Sequence, residues 1–343
     1  PRASNITFAG ASIFDHGEHS AISILDTLLV GRVTPPGRPL APHASWRIPV
    51  TFTVQSLAGG APVAGIVTLD AAGAFTLTGH TPGVYAVSVR GPQTLRTSTV
   101  VTLTSGLNVV DFGGLRGGDS DGDGAITLVD FSNLVTTFGA CAGAAGYDSH
   151  SDFNGDACIT LLDFSILRTN YGASSDDSAQ RSALHPASIP PAHLSVDLDA
   201  STWLPGSHFT ADVVVDSQGG LLDGAAAYLT YDPHILQVVG VTAGAPLPQL
   251  IQREVDHHAG RIAFAAGTLE QAPAGRIVLA RIEFAAVATG SSAIAFQRTS
   301  SAQSDVTFGG ASILAATTDA IVTVGDGASP VPPSLYLPVV ARR

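Results

Sequence analysis

Short runs in which apolar and polar residues alternate dominate the chain. Every second residue from Ile48 to Val54 is apolar, and the same holds from Tyr85 to Val89. A period of two places alternate side chains on one face of a β-strand. Turns rich in Gly and Pro separate these runs at short intervals, which is typical of all-β sandwiches. The pattern therefore predicts a mainly β protein built from sandwiches.

Residues 119–172 break this pattern, because their apolar residues recur at helical spacing. Two amphipathic helices are predicted, one after Asp130 and one after Asp163. Their apolar positions are Phe131, Leu134, Val135 and Phe138 in the first, and Phe164, Leu167 and Tyr171 in the second.

Each predicted helix follows a copy of one twelve-residue acidic motif, DSDGDGAITLVD at 119–130 and DFNGDACITLLD at 152–163. Oxygen-bearing side chains at loop positions 1, 3 and 5, a turn residue at 6 and an acid at 12 match an EF-hand-type calcium loop. Calcium needs six or more oxygen ligands, and alternate residues of a tight loop bring them to one point. The predicted ligands are Asp119, Asp121, Asp123, Thr127 (through water) and Asp130 in the first loop, and Asp152, Asn154, Asp156, Thr160 (through water) and Asp163 in the second. Two calcium ions are expected, and the first loop, with four carboxylates against three, should bind more tightly.

Composition and charge narrow the functional classes. The net charge of −12 argues against nucleic-acid binding, which requires basic side chains to neutralise phosphates. No apolar stretch approaches the roughly 20 residues that span a bilayer. The sequence contains no nucleophile elbow, metalloprotease helix motif, P-loop or dinucleotide glycine motif. We therefore expect a protein that is not an enzyme.

Cys141 and Cys158 are the two cysteines of the chain. In a secreted protein a single pair indicates one disulfide, while a cytosolic pair of free thiols is the alternative. The bond would fix the connection between the repeats onto the second loop.

The paired loops, each ending in the Asp of an Asp-Phe-Ser sequence, resemble a type I dockerin over residues 117–173. Ala157 departs from the family, which usually has Gly at this left-handed position. The resemblance also implies that loop positions 10 and 11 contact the protein partner. They are apolar here, so the alternative is that they pack inside the module. These four residues are Leu128, Val129, Leu161 and Leu162.

Two further segments resemble known sandwiches. Residues 192–326 contain Pro205-Gly206 before a strand and Tyr231-Asp232-Pro233 before an apolar run, an order similar to that of a cohesin. That resemblance implies a nine-stranded jelly roll that binds dockerins through one sheet face. Residues 27–116 contain DAAGAFTLTGHTPGVYAVSVRG and resemble a carboxypeptidase-regulatory-like (prealbumin-like) sandwich, which implies a spacer.

The N-terminus repeats a segment of the cohesin-like region. ITFAGASIFDHGEHSAISI at 6–24 aligns without gaps with VTFGGASILAATTDAIVTV at 306–324. We therefore predict a strand pair at 1–26 that buries its apolar residues against a sandwich, in an adjacent subunit or in its own chain. The residues expected to be buried are Ile6, Phe8, Ile13, Ile22 and Ile24. Asn5 begins a glycosylation sequon.

The remaining segments are a polar linker at 174–191, without periodicity, and a Pro-rich tail at 327–343. We expect the tail to dock as an edge strand. The predicted architecture is thus two β-sandwiches joined by a small helical module with two calcium loops.

A chain that carries both a dockerin-like and a cohesin-like module holds both halves of a heterologous contact, and such contacts generate filaments. The leading interpretation is a secreted or cell-surface structural protein that assembles with copies of itself into a fibre in a calcium-dependent way. The alternatives are a cellulosome-like scaffold that recruits polysaccharide-degrading enzymes, and an accessory domain of a glycoside hydrolase.

Overall fold

The computed structural model describes residues 27–175, 190–299 and 302–325, with backbone alone at 298–299 and 302. It also describes the backbone of two short strands, β1 (Thr7–Phe8) and β2 (Ala11–Ser12). Several predictions lie outside the described residues, namely those for Asn5, Ile6, Ile13, Ile22, Ile24, the side chain of Phe8, most of the linker and the tail.

Residues 27–114 form a two-layer sandwich, here called the first sandwich. A three-stranded sheet in the order β6-β3-β9 faces a four-stranded sheet in the order β5-β4-β7-β8. The elements are β3 (Thr27–Thr34), a 3₁₀ turn (Ala44–Trp46), β4 (Pro49–Ser56), β5 (Val63–Thr68), β6 (Ala74–His80), β7 (Gly83–Arg90), β8 (Thr97–Leu103) and β9 (Gly106–Gly114). The apolar alternation read from the sequence is confirmed, since Val50, Val54, Tyr85, Val87 and Val89 all lie in its core.

Residues 117–175 form the two-loop module, which contains helices α1 (Leu128–Thr137) and α2 (Leu161–Asn170). Each helix begins three residues earlier than the apolar spacing indicates, because a capping box starts it. Thr127 accepts a hydrogen bond from the backbone N–H of Val129, and Asp130 accepts one from the N–H of Thr127. Thr160 and Asp163 repeat this arrangement at α2. The module extends to Ser175, whose N–H donates to Gly124 O at 2.8 Å, so the predicted linker loses its first two residues.

Residues 190–325 form the second sandwich. A five-stranded sheet in the order β14-β17-β12-β10-β23 faces an eight-stranded sheet whose main order is β11-β24-β18-β13-β16-β15, with β21 paired to β13 and β22 paired to β21. The strands are β10 (Ala192–Leu198), β11 (Thr202–Trp203), β12 (His208–Leu221), β13 (Gly224–Thr230), β14 (Leu236–Ala243), β15 (Gln249–Asp256), β16 (Arg261–Gly267), β17 (Ala274–Ala286), β18 (Gly290–Phe296), β19 (Arg298–Thr299), β20 (Ala302–Gln303), β21 (Asp305–Phe308), β22 (Ala311–Ser312), β23 (Leu314–Thr318) and β24 (Ala320–Val324).

The sequence repeat between the N-terminus and the second sandwich is also a repeat of backbone pairing. Thr7 pairs with Ser12 and Phe8 with Ala11 in the β1–β2 hairpin. Thr307 pairs with Ser312 and Phe308 with Ala311 in the β21–β22 hairpin, at the matching positions of the alignment. Both hairpins therefore have the same register.

The two-loop module lies between the sandwiches and contacts both. Leu95 of the first sandwich and Ala226 and Ala265 of the second belong to the same buried cluster as Leu134 and Phe164 of the module. Among the described residues, no helix is long and apolar enough to cross a membrane.

Candidate calcium loops and interface

The first acidic loop brings three carboxylates together. The ligand oxygens of Asp119, Asp121 and Asp123 all lie within 4.8 Å of one another. The loop is held open by its own backbone: Gly122 N–H donates to Asp119 Oδ1 at 2.9 Å, and Ser120 N–H to Asp130 Oδ1 at 2.7 Å. Burial raises the pKa of Asp119, while the Arg90 charge acts in the opposite direction. Asp119 is buried and the other two carboxylates are exposed, and such converging hard oxygens fit a divalent cation of the calcium type.

The second loop has the same backbone frame but a less compact set of acids. Gly155 N–H donates to Asp152 Oδ1 at 2.7 Å, and Phe153 N–H to Asp163 Oδ1 at 2.8 Å, matching the first loop. Asn154 replaces one carboxylate, and no second group of three converging acids occurs among the described residues. Burial, the largest cause, raises the pKa of Asp163 to about 8. A cation held by Asp152, Asn154, Asp156 and Asp163 would neutralise this cluster.

The backbone of Ala157 is left-handed, with φ of +74°, as its position in the loop predicts. Its counterpart in the first loop is Gly124, with φ of +89°. The threonines at the predicted water-bridging positions, Thr127 and Thr160, serve as helix N-caps, a role that the loop motif did not indicate.

The predicted disulfide between Cys141 and Cys158 is present. The two cysteines face each other across an isolated antiparallel bridge. Next to it, Ala142 N–H donates to Ala157 O at 2.7 Å. The bond thus ties the connection between the repeats to the second loop, beside the residue with the strained backbone.

Helix α2 packs onto the outer face of the eight-stranded sheet, the face directed away from the core of the second sandwich. Phe164 is fully buried there, in a cluster that includes Leu161 of the same helix and Ala226, Ala265 and Ile251 of the sheet. Small residues on β13 and β16 allow this approach. A Cβ added at Gly224 would lie 2.9 Å from Leu161 Cδ1, and one at Gly267 would overlap the Phe164 ring.

A buried polar network lies at the centre of this contact. Asp223 and Ser165 are both fully buried, and Ser165 Oγ lies 2.8 Å from Asp223 Oδ2. The hydroxyl of Ser165 also accepts a hydrogen bond from Gly310 N–H at 2.7 Å. Gly309 N–H and Thr307 Oγ1 complete the network, each donating to Asp223 at 2.8 Å. Burial raises the pKa of Asp223, whereas these hydrogen bonds and Arg168 lower it.

Arg168 borders the network at the solvent edge. One of its nitrogens lies 4.0 Å from Asp223 Oδ2, and another donates to Glu270 O at 2.9 Å. Its guanidinium carbon lies 5.7 Å from the centre of the Phe308 ring, within cation–π range. Ser165, Arg168 and Asp223 were not predicted as interface residues. The repeated Asp-Phe-Ser was the available signal for Ser165.

The four predicted partner-binding residues of the loops divide between two environments. Leu161 is 2 % exposed and contacts the second sandwich at Gly224, and Leu162 lies with it beside Ala226 and Tyr228. Leu128 and Val129 of the first repeat are 62 % and 54 % exposed. The two repeats therefore present equivalent residues to different surroundings, one to the second sandwich and one to solvent.

Residues 194–321 match the family model described as Cohesin domain. The chain therefore carries a cohesin domain in its second sandwich, and the match covers less than half of the chain. The first sandwich and the two-loop module lie outside it.

Several solved structures are similar to part of the chain. One is a type II cohesin domain from the cellulosome of Acetivibrio cellulolyticus, at 21 % identity and a TM-score of 0.34, covering 39 % of this chain and 95 % of that one. A non-cellulosomal cohesin from the archaeon Archaeoglobus fulgidus has 15 % identity and a TM-score of 0.33, covering 39 % and 91 %. The seventh ScaB type I cohesin from Pseudobacteroides cellulosolvens has 18 % identity and a TM-score of 0.32, covering 42 % and 97 %. No curated protein matches the chain.

Proposed function

We propose that the protein is a non-enzymatic, extracellular structural subunit that uses a calcium-dependent contact of the cohesin–dockerin type. The two-loop module acts as the dockerin, and the eight-stranded sheet of the second sandwich acts as its receptor. In a single chain the contact is internal. When the module of one chain docks on the sheet of the next, the same contact builds a fibre.

The observation that carries this proposal is the seating of α2 on the sheet through Phe164 and the Ser165–Asp223 pair. A carboxylate buried at an interface is costly unless its hydrogen bonds are complete, so this network favours one partner over others. The Cys141–Cys158 disulfide is typical of an oxidising, extracellular compartment.

The alternative function, a scaffold that recruits enzymes from other chains, requires a sheet face that is free to receive foreign modules. Here α2 of the same chain covers that face, which disfavours the capture of foreign modules. Residues 176–189 join the two-loop module to the second sandwich, so the effective concentration of the module at the sheet of its own chain is high.

Two complementary variants test whether the contact also forms between chains. Ser165→Asp sets a second carboxylate against Asp223 and disables the module, while Gly224→Val fills the space needed by Leu161 and disables the sheet. Each variant alone should be a monomer in calcium. An equimolar mixture should form a 1:1 complex by light scattering, because each variant keeps one intact half.

Ser132→Asp is the matched control, since Ser132 occupies the equivalent position of the first repeat and is exposed. It should leave the contact unchanged. EDTA should dissociate the mixed complex. Failure of the mixture to associate, with both variants folded, would contradict assembly between chains, and association that is indifferent to EDTA would contradict its calcium dependence.

A further inference from the structure

The first sandwich places one arginine at each acidic loop. Arg90 ends β7, and one of its terminal nitrogens donates to Asp119 Oδ2 at 2.8 Å. Its Nε donates to Thr94 O at 2.9 Å, which fixes the direction of the guanidinium. The Asp119 side chain is fully buried in this pair, whereas that of Arg90 is 29 % exposed. The ion pair therefore joins Arg90 of the first sandwich to Asp119, the first position of the first loop.

Arg38 takes the corresponding place at the second loop. Its guanidinium lies against Gly155, where an added Cβ would overlap it, and one nitrogen donates to Ser45 O at 2.6 Å. Burial lowers the pKa of Arg38, and the nearby Asp152 charge opposes this. Asp152 is the first position of the second loop, as Asp119 is of the first.

We infer that Arg90 and Arg38 are positioning residues through which the first sandwich supplies counter-charge to the two loops, so that Arg90 and a bound cation share the Asp119 carboxylate. This inference rests on the proposed binding of calcium by these loops. It adds that docking of the first sandwich holds the loops in their folded form without metal and lowers their affinity for it.

The direction of the effect follows from a thermodynamic cycle. Without metal, Arg90 pairs with the buried carboxylate of Asp119. Removing Arg90 therefore leaves that carboxylate without its positive partner, close to the like charges of Asp121 and Asp123. With calcium bound, the ion supplies that compensation, so the loss of Arg90 costs less. A substitution that destabilises the metal-free state more than the loaded state must strengthen calcium binding to the folded protein.

The test compares the full chain with Arg90→Gln, by calorimetric calcium titration and by thermal unfolding in EDTA and in saturating calcium. The variant should melt at lower temperature in EDTA, and calcium should largely abolish the difference. Affinity at one of the two sites should rise by about tenfold, the factor that corresponds to 1.4 kcal/mol. Arg90→Lys, which keeps the charge, should restore most of the stability in EDTA.

Arg96→Gln is the control, because Arg96 is exposed on the same sandwich and its backbone N–H, rather than its side chain, contacts the module at Ser175. It should behave as the unsubstituted chain. Equal destabilisation of Arg90→Gln in EDTA and in calcium, or weaker calcium binding, would overturn the inference and leave Arg90 as a structural contact. An unsubstituted chain that binds no calcium would overturn the calcium part of the proposed function instead, and the inference with it.

Discussion

At the scale of single residues, Ala157 shows how a local departure from a motif becomes a measurable strain. Its φ of +74° lies in the left-handed region, where a Cβ costs about 1–2 kcal/mol. Ala157→Gly should therefore raise the free energy of unfolding of the two-loop module by about 0.5–1 kcal/mol, measured by urea unfolding followed through helical circular dichroism. The gain is the strain relieved, less the entropy of the added glycine.

The control for this prediction is Ala142→Gly, which changes the residue hydrogen-bonded to Ala157 but whose φ is not positive. It should destabilise the module slightly or leave it unchanged. Equal stabilisation by both variants would contradict the explanation by backbone strain.

Asp305 gives the second sandwich a pH dependence of its own. Burial raises its pKa to about 6, against hydrogen bonds from Ser312 and Val306 that lower it. Because the folded state holds a proton that the unfolded state has released, this residue lowers stability as pH rises from about 4 to 6. Asp305→Asn should remove that loss, worth on the order of 3 kcal/mol at pH 7 and nothing at pH 4.

Thermal unfolding at the two pH values measures this effect. Asp232→Asn is the control, since the backbone N–H of His234 lowers the pKa of that exposed carboxyl on the same sandwich. A similar gain from both substitutions would show that general charge reduction, and not burial of Asp305, is responsible.

At the scale of secondary-structure elements, the sequence predicted best those strands and helices whose apolar periodicity lies within the element itself. The period of two in β4 and β7 and the helical spacing of α1 and α2 each reflect burial of one face. The helix starts were predicted too late, because Thr127 and Asp130, which form the capping box, were assigned to the calcium loop as ligands. The predicted ligand role and the observed capping role fall on the same carboxylate, so the motif alone did not separate them.

The disulfide is an element-scale constraint on the second loop. The two cysteines are 17 residues apart in sequence, and closing a loop of this size is worth about 3 kcal/mol in the chain-entropy model. Cys141→Ser with Cys158→Ser should therefore lower the stability of the two-loop module by roughly that amount without altering the second sandwich. Hydrogen exchange of the two regions, measured separately, distinguishes a local loss from a general one.

At the scale of the whole molecule, the docking of α2 on the second sandwich was not predictable from pattern. The residues that make room for it, Gly224 and Gly267, read simply as small strand residues. Asp223 and Ser165 are 58 residues apart, and Gly310 and Ser165 are 145 apart. Strand periodicity indicates which face of a strand is apolar, but it does not tell what covers the outer face of the sheet.

The N-terminal strand pair is a prediction for the assembled state. In the second sandwich the counterparts of Ile6, Phe8, Ile22 and Ile24 are all buried, namely Val306, Phe308, Val322 and Val324. Phe8→Asp with Ile22→Asp would place two charges on the face expected to be buried, at a cost of several kcal/mol. The double variant should remain a folded monomer that no longer polymerises, as measured by light scattering and circular dichroism. Loss of the fold would show that the pair belongs to the core of its own chain.

The contact between α2 and the second sandwich also determines how the molecule responds to force. A pull between its two sandwiches loads the interface at Phe164 and Ser165. Once that interface ruptures, residues 176–189 alone join the two halves, and these 14 residues can span at most roughly 45–50 Å at about 3.4 Å per residue. The molecule would then extend in a discrete step before any domain unfolds, and re-docking of α2 would restore its length once the tension falls.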